Sequence, residues 1–123
     1  MLKTHAKNFG TATILCLQGR IVIGETETLH NVVQSLSETS AVILDLARVS
    51  MVDAHGLGVL LELRERTQEK GIRFELMNVS KPLSQVLEIT HLDSVFQITS
   101  GVVFFPQFSR DSRARVAALR PCA

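Results

Sequence analysis

Asp53 and His55 stand two residues apart, with Ala54 between them and Gly56 and Gly58 just after. A carboxylate beside an imidazole is the raw material of acid–base chemistry, but that chemistry also needs a nucleophile held against its base. Ala54 fills the place where a nucleophile would stand, and neither a Walker phosphate loop nor a zincin helix motif accompanies the pair. Recognition fits these residues better. Glycines at a helix start remove side-chain bulk, so a partner's backbone or an anionic group can approach free amides and the positive end of the helix dipole. Asp53 then reads as a cap and shape determinant rather than a catalytic carboxylate. No catalytic residue and no enzymatic activity are expected.

The elements that must position this segment follow from periodicity. Residues 41–47 form a short apolar run between polar stretches, as a strand covered on both faces requires. Residues 56–70 then carry Leu57, Leu60 and Leu61 at helical spacing, with Glu62 and Arg66 paired four apart on the solvent side. Gly71 is placed to end that helix. Upstream, residues 11–17 and 20–23 are β-branched and aliphatic around Gly19, which predicts an N-terminal hairpin. Leu29, Val32, Val33 and Leu36 follow at helical spacing, with Glu25 and Glu27 in the first turn. Residues 72–76 alternate as a half-buried strand would. Ser80 caps a third helix with Pro82 in its first turn, and residues 95–98 form a last strand. The fold class is therefore α/β, a single domain with a mixed sheet of about four to five strands and helices packed on it.

Composition narrows the function. The chain has 123 residues, 46% hydrophobic and 20% charged, which suits one globular domain. A net charge of +1 gives no general attraction to nucleic acid or anionic membrane. Six Phe without Trp or Tyr argue against a base-stacking or sugar-binding platform. His5, His30 and His91 are scattered without metal spacing, so neither a metal nor another cofactor is expected. Cys16 lies in an apolar run and reads as a small buried hydrophobe; Cys122 is next to last. Residues 1–10 lack a secretory pattern, and no run of 18 apolar residues occurs, so the expectation is a cytoplasmic protein without membrane insertion.

The stretch Val42-Ile43-Leu44-Asp45-Leu46-Ala47-Arg48-Val49-Ser50-Met51-Val52-Asp53-Ala54-His55-Gly56-Leu57-Gly58 resembles the signature segment of STAS domains of the anti-sigma factor antagonist type. Lys70-Gly71-Ile72 leading into Phe74, and Leu87-Glu88-Ile89-Thr90-His91-Leu92-Asp93-Ser94-Val95-Phe96, agree with the same family in the same order. The resemblance covers about residues 10–99. It implies a STAS domain over residues 1–100 and leaves unexplained residues 101–123, whose composition reads as a partly ordered, arginine-rich C-terminal extension. It also implies a partner-switching protein that binds an anti-sigma factor, often also its serine kinase, and so regulates transcription without touching nucleic acid. On this reading Asp53, Ala54, His55, Gly56, Leu57 and Gly58 form the partner contact. The alternative is a STAS scaffold or subunit of a signalling or membrane-transport assembly.

The sequence departs from the family at one telling place. The hydroxyl residue that the family phosphorylates corresponds to His55, and the preceding hydroxyl position is Ala54. Neither side chain accepts phosphate from a serine kinase. The candidates to replace it are Ser50 in the preceding loop, the His55 ring itself and the hydroxyls of Thr26 and Thr28, although loop hydroxyls more often cap turns and helices. The segment 101–123 opens with Val102-Val103-Phe104-Phe105 and then carries Arg110, Arg113, Arg115 and Arg120 against Asp111 alone. A short helix over 112–119 is expected there. Phe104 and Phe105 invite packing against another surface, a second copy of the chain included.

Overall fold

The computed structural model of the chain describes residues 2–36 and 39–99. Five strands, β1 (Lys3–Phe9), β2 (Ala12–Ile21), β3 (Ala41–Val52), β4 (Arg73–Met77) and β5 (Gln97–Thr99), form one sheet in the order β1-β2-β3-β4-β5. β1 runs antiparallel to β2, and the remaining pairs are parallel. The parallel pairs are joined through α1 (Glu27–Gln34), α2 (Ala54–Glu69) and α3 (Lys81–Ile89), with a short 3-10 turn at Leu92–Ser94 before β5. Right-handed crossovers that always step the same way place all three helices on one face.

That face holds the main core. Leu15, Leu17, Val42, Leu44, Phe74 and Leu76 from the strands meet Leu29, Val33, Leu60, Leu63, Leu83 and Leu87 from the helices. The opposite face carries a second, smaller cluster of Ala12, Ile14, Cys16, Ala41, Ile43 and Met77. Cys16 is buried there, as its apolar neighbours predicted, and is not a free thiol.

Several local expectations need correction. The hairpin turns at Gly10 and Thr11, not at Gly19, so residues 12–21 are one strand. Gly19 takes a φ of +119° beside a register shift between β2 and β3, and a glycine can absorb such a bulge without ending the strand. β1 escaped notice because, apart from Thr4 and Phe9, its residues are exposed, as an edge strand permits. β3 runs on to Val52, so Ser50 lies in a strand rather than a loop. β4 is buried on both faces from Phe74 to Met77, where simple alternation had suggested one. Elsewhere the readings hold: Gly71 has a φ of +73° after α2, Ser80 caps α3 through Leu83 N, and Arg66 pairs with Glu62 at 3.5 Å. The expected helix over 112–119 and the rest of the 101–123 extension lie outside the described residues.

Candidate partner-docking site at the start of α2

The site is built where the longest strand runs into the longest helix. Asp53 is the N-cap of α2, with extended backbone at φ −91° and ψ −177°. Its Oδ1 accepts a hydrogen bond from Gly56 N at 2.7 Å, which satisfies one of the amides that a helix start leaves free. Its Oδ2 accepts from Ile23 N at 3.2 Å. One carboxylate therefore ties the loop after β2 to the start of α2. The Gly56 amide bond, aided by the Ile23 amide and the His55 ring, holds the Asp53 carboxyl below its ordinary range.

Gly56 makes this junction possible. A Cβ at that position would collide with the Ile21 carbonyl oxygen and would also sit 2.9 Å from the Ile21 carbonyl carbon and 3.0 Å from Val52 Cγ1. The helix start thus presses directly on the end of β2, and only glycine fits. Gly58 is different: it is exposed, and a Cβ there would meet nothing within 4 Å.

The sequence-predicted residues divide accordingly. Ala54, His55 and Gly58 are exposed, while Asp53 is half-buried. Gly56 is buried, and Leu57 is half-buried against the main core. Both therefore lie beneath or at the margin of the exposed surface that Ala54, His55 and Gly58 present. The Ser50 hydroxyl donates to the Gly19 carbonyl at 3.3 Å. Thr26 holds the N-cap position of α1 and is buried, but its side chain makes no capping bond; Thr28 is exposed. No cluster of three or more metal-ligating side chains occurs among the described residues.

Sequence reasoning missed two side chains. Ile23 is 70% exposed and Met51 is 54% exposed. Ile23 is held beside the helix start by the Asp53 bond, and Met51 lies two residues before Asp53 on β3. The only sequence signal was an aliphatic residue directly before Gly24, read as the end of a strand. From Met51 an apolar groove continues between the outer end of β3 and α3, lined by Leu46, Val49, Val52, Pro82, Leu83 and Val86. It exists because β4 pairs with β3 only as far as Asp45, which leaves the last turns of β3 without a strand on that side.

The molecule is thus an α/β domain that presents a capped helix N-terminus with an apolar border. The chain matches the STAS domain family over residues 3–105 and belongs to it. Among solved structures it is similar to an anti-sigma factor antagonist from Mycobacterium paratuberculosis, with TM-score 0.70 and 17% identity over 80% of this chain and 85% of that one. It is also similar to a sulfate transporter family protein from Wolinella succinogenes, with TM-score 0.66 and 24% identity over 73% and 77% of the two chains. The anti-sigma factor antagonist SpoIIAA of Bacillus, in its unphosphorylated form, gives TM-score 0.62 and 15% identity over 79% and 87%. At these identities the likeness is one of fold. No helix among the described residues is long and apolar enough to cross a membrane.

Proposed function

We propose that this protein is an anti-sigma factor antagonist that docks its partner on the start of α2 and lacks the serine phosphorylation switch. The observation that carries the reading is the exposed Ala54–His55 pair on an Asp53-capped helix N-terminus, bordered by exposed Ile23 and Met51. Exposed aliphatic side chains around a small polar centre suit a protein partner better than a small substrate. The amides of Ala54 and His55, at the first two helical positions, have no carbonyl one turn earlier to bond, so they remain available to a partner's acceptor. The fold likeness to antagonists supports the choice of an anti-sigma factor as that partner. Binding it releases a sigma factor, so the effect on transcription is indirect.

A phosphate at this place would add about −1.5 to −2 charges beside the Asp53 carboxylate, enough to change how a partner docks. With alanine and histidine there, a serine kinase has nothing to modify. Intact mass after incubation with the partner kinase and ATP tests this. The wild-type mass stays unchanged, and His55→Ser gains one phosphate. A stoichiometric phosphate on the wild-type chain, at Ser50 or a threonine, would sink the proposal.

A further inference from the structure

β3 is 12 residues long and β4 only 5. Their pairing ends at Asp45 and Met77, while β2 follows β3 on its other side as far as Val52. Asp45 marks the end of the shorter ladder. Its Oδ1 accepts from Ala47 N at 3.0 Å and from Asn78 Nδ2 at 3.1 Å, so the Ala47 amide finds its partner in a side chain rather than in β4. Asn78, at a φ of +58°, turns the chain out of the sheet, and Ser80 then caps α3. The lane that a longer β4 would fill therefore lies open between the end of β3 and α3. It is the apolar groove described above, with a volume of about 170 Å³.

We propose that this lane seats an extended, apolar segment of the same protein partner that docks on the start of α2, added to the open edge of β3 as a further strand. A strand edge carries a row of backbone donors and acceptors, which another extended chain matches group for group. Residues 48–52 offer about 16 Å of such edge, room for roughly five residues. The walls Val49, Val52, Pro82 and Val86 are apolar. The groove is close in volume to the roughly 150 Å³ that holds a benzene-sized group, so one leucine or phenylalanine side chain fills it. Its two hydroxyls are already engaged within the fold: Ser50 donates to the Gly19 carbonyl, and Ser80 accepts from Leu83 N. Selection therefore falls to the apolar walls and the β3 backbone, which suits a peptide better than a small polar molecule.

Continuity and charge point to the same occupant. Met51 lines the groove and also stands in the exposed border of the α2 start, so one partner can cover both without a break. No lining residue is charged. Arg48, between the lining residues Leu46 and Val49, and Lys81, between Ser80 and Pro82, are exposed and have no carboxylate partner among the described residues. The segment that complements them carries an acidic residue beside its apolar one. This role for the groove rests on the docking reading proposed above.

Amide hydrogen exchange and calorimetry on the full chain, with an anti-sigma factor kinase from the same cell as the probe, separate the two. Amides of 48–52 that turn away from β2 are expected to exchange freely in the free chain and to slow at least about tenfold in the complex. A partner helix laid on α3 would cover the side chains without slowing these amides. Val86→Asp, at a position 39% exposed, is expected to weaken binding at least about tenfold with an unchanged denaturation midpoint. Tight binding without new protection at 48–52 would overturn the role of the groove and leave docking on α2 standing. Binding that Val86→Asp leaves unchanged would do the same. No binding at all would overturn both. Protection of these amides already in the free chain, from its own residues 101–123 or from a second copy, would assign the groove to this chain and overturn the proposal as well.

Discussion

Gly56 and Gly58 occupy the first turns of α2 two residues apart, and their surroundings set what an added methyl group does. At Gly56 it would run into the backbone carbonyl of Ile21, which cannot move aside as a flexible side chain would. Gly56→Ala is therefore expected to destabilise the fold by about 1–3 kcal/mol. At Gly58 the same methyl meets open space, and alanine is the better helix former, so Gly58→Ala stabilises by about 0.5–1 kcal/mol. Urea denaturation of the two variants checks both; equal effects would contradict the junction described. Asp53 gives a prediction in pH. Its carboxyl is held low by the Gly56 amide bond, so its contribution to stability is fully present above the ordinary carboxylate range and fades as pH falls through the lowered folded-state value. Asp53→Asn keeps one acceptor oxygen where the wild type uses two. The variant should lose midpoint at neutral pH, release protection at the Ile23 amide, and converge on the wild type in acid. A constant gap from neutral to acid pH would contradict this.

The elements were legible in the sequence wherever one physical signal ruled. β3 announced itself through its unbroken apolar run, α2 through leucine spacing and Gly71, and α3 through Ser80 and Pro82. Strand β1 did not, because at the sheet edge lysine, histidine and asparagine are as acceptable as aliphatics. Gly19 misled because a glycine inside a bulge and a glycine in a turn look alike in one dimension. At the site, the Asp53 cap was readable, but Gly56 was read as room for a partner where it makes room for the Ile21 carbonyl, and the tie from Asp53 to Ile23 spans thirty positions and left no local trace. β4 is the instructive failure, since Glu75 at an alternating position looked solvent-facing and is buried. Burial pushes its carboxyl above the ordinary range, and the Arg73 guanidinium, 2.9 Å away but 70% exposed, only partly opposes this. The folded state disfavours the charged form, so the penalty is absent at low pH and grows as pH rises from the ordinary carboxyl value through the raised one. Glu75→Gln is expected to raise the denaturation midpoint at neutral pH and to match the wild type in acid. A variant less stable than the wild type at neutral pH would contradict it.

At the scale of the molecule, the two sheet faces divide the work. One carries the helices and main core and ends in the Ile23, Met51 and His55 surface; the other carries the smaller cluster around Ile14, Ile43 and Met77. The division predicts that partner binding is sensitive to Ile23→Lys, which places a charge on an exposed position without disturbing the core. Ile23→Lys should weaken binding at least tenfold with an unchanged denaturation midpoint. The most direct test of the central claim is calorimetric titration of the wild-type chain with an anti-sigma factor kinase from the same cell, before and after exposure to ATP. Tight binding that persists unchanged after ATP is the predicted result, because Ala54 and His55 leave the kinase no hydroxyl at the start of α2. Binding that is lost after ATP, or absent under both conditions, would contradict the account.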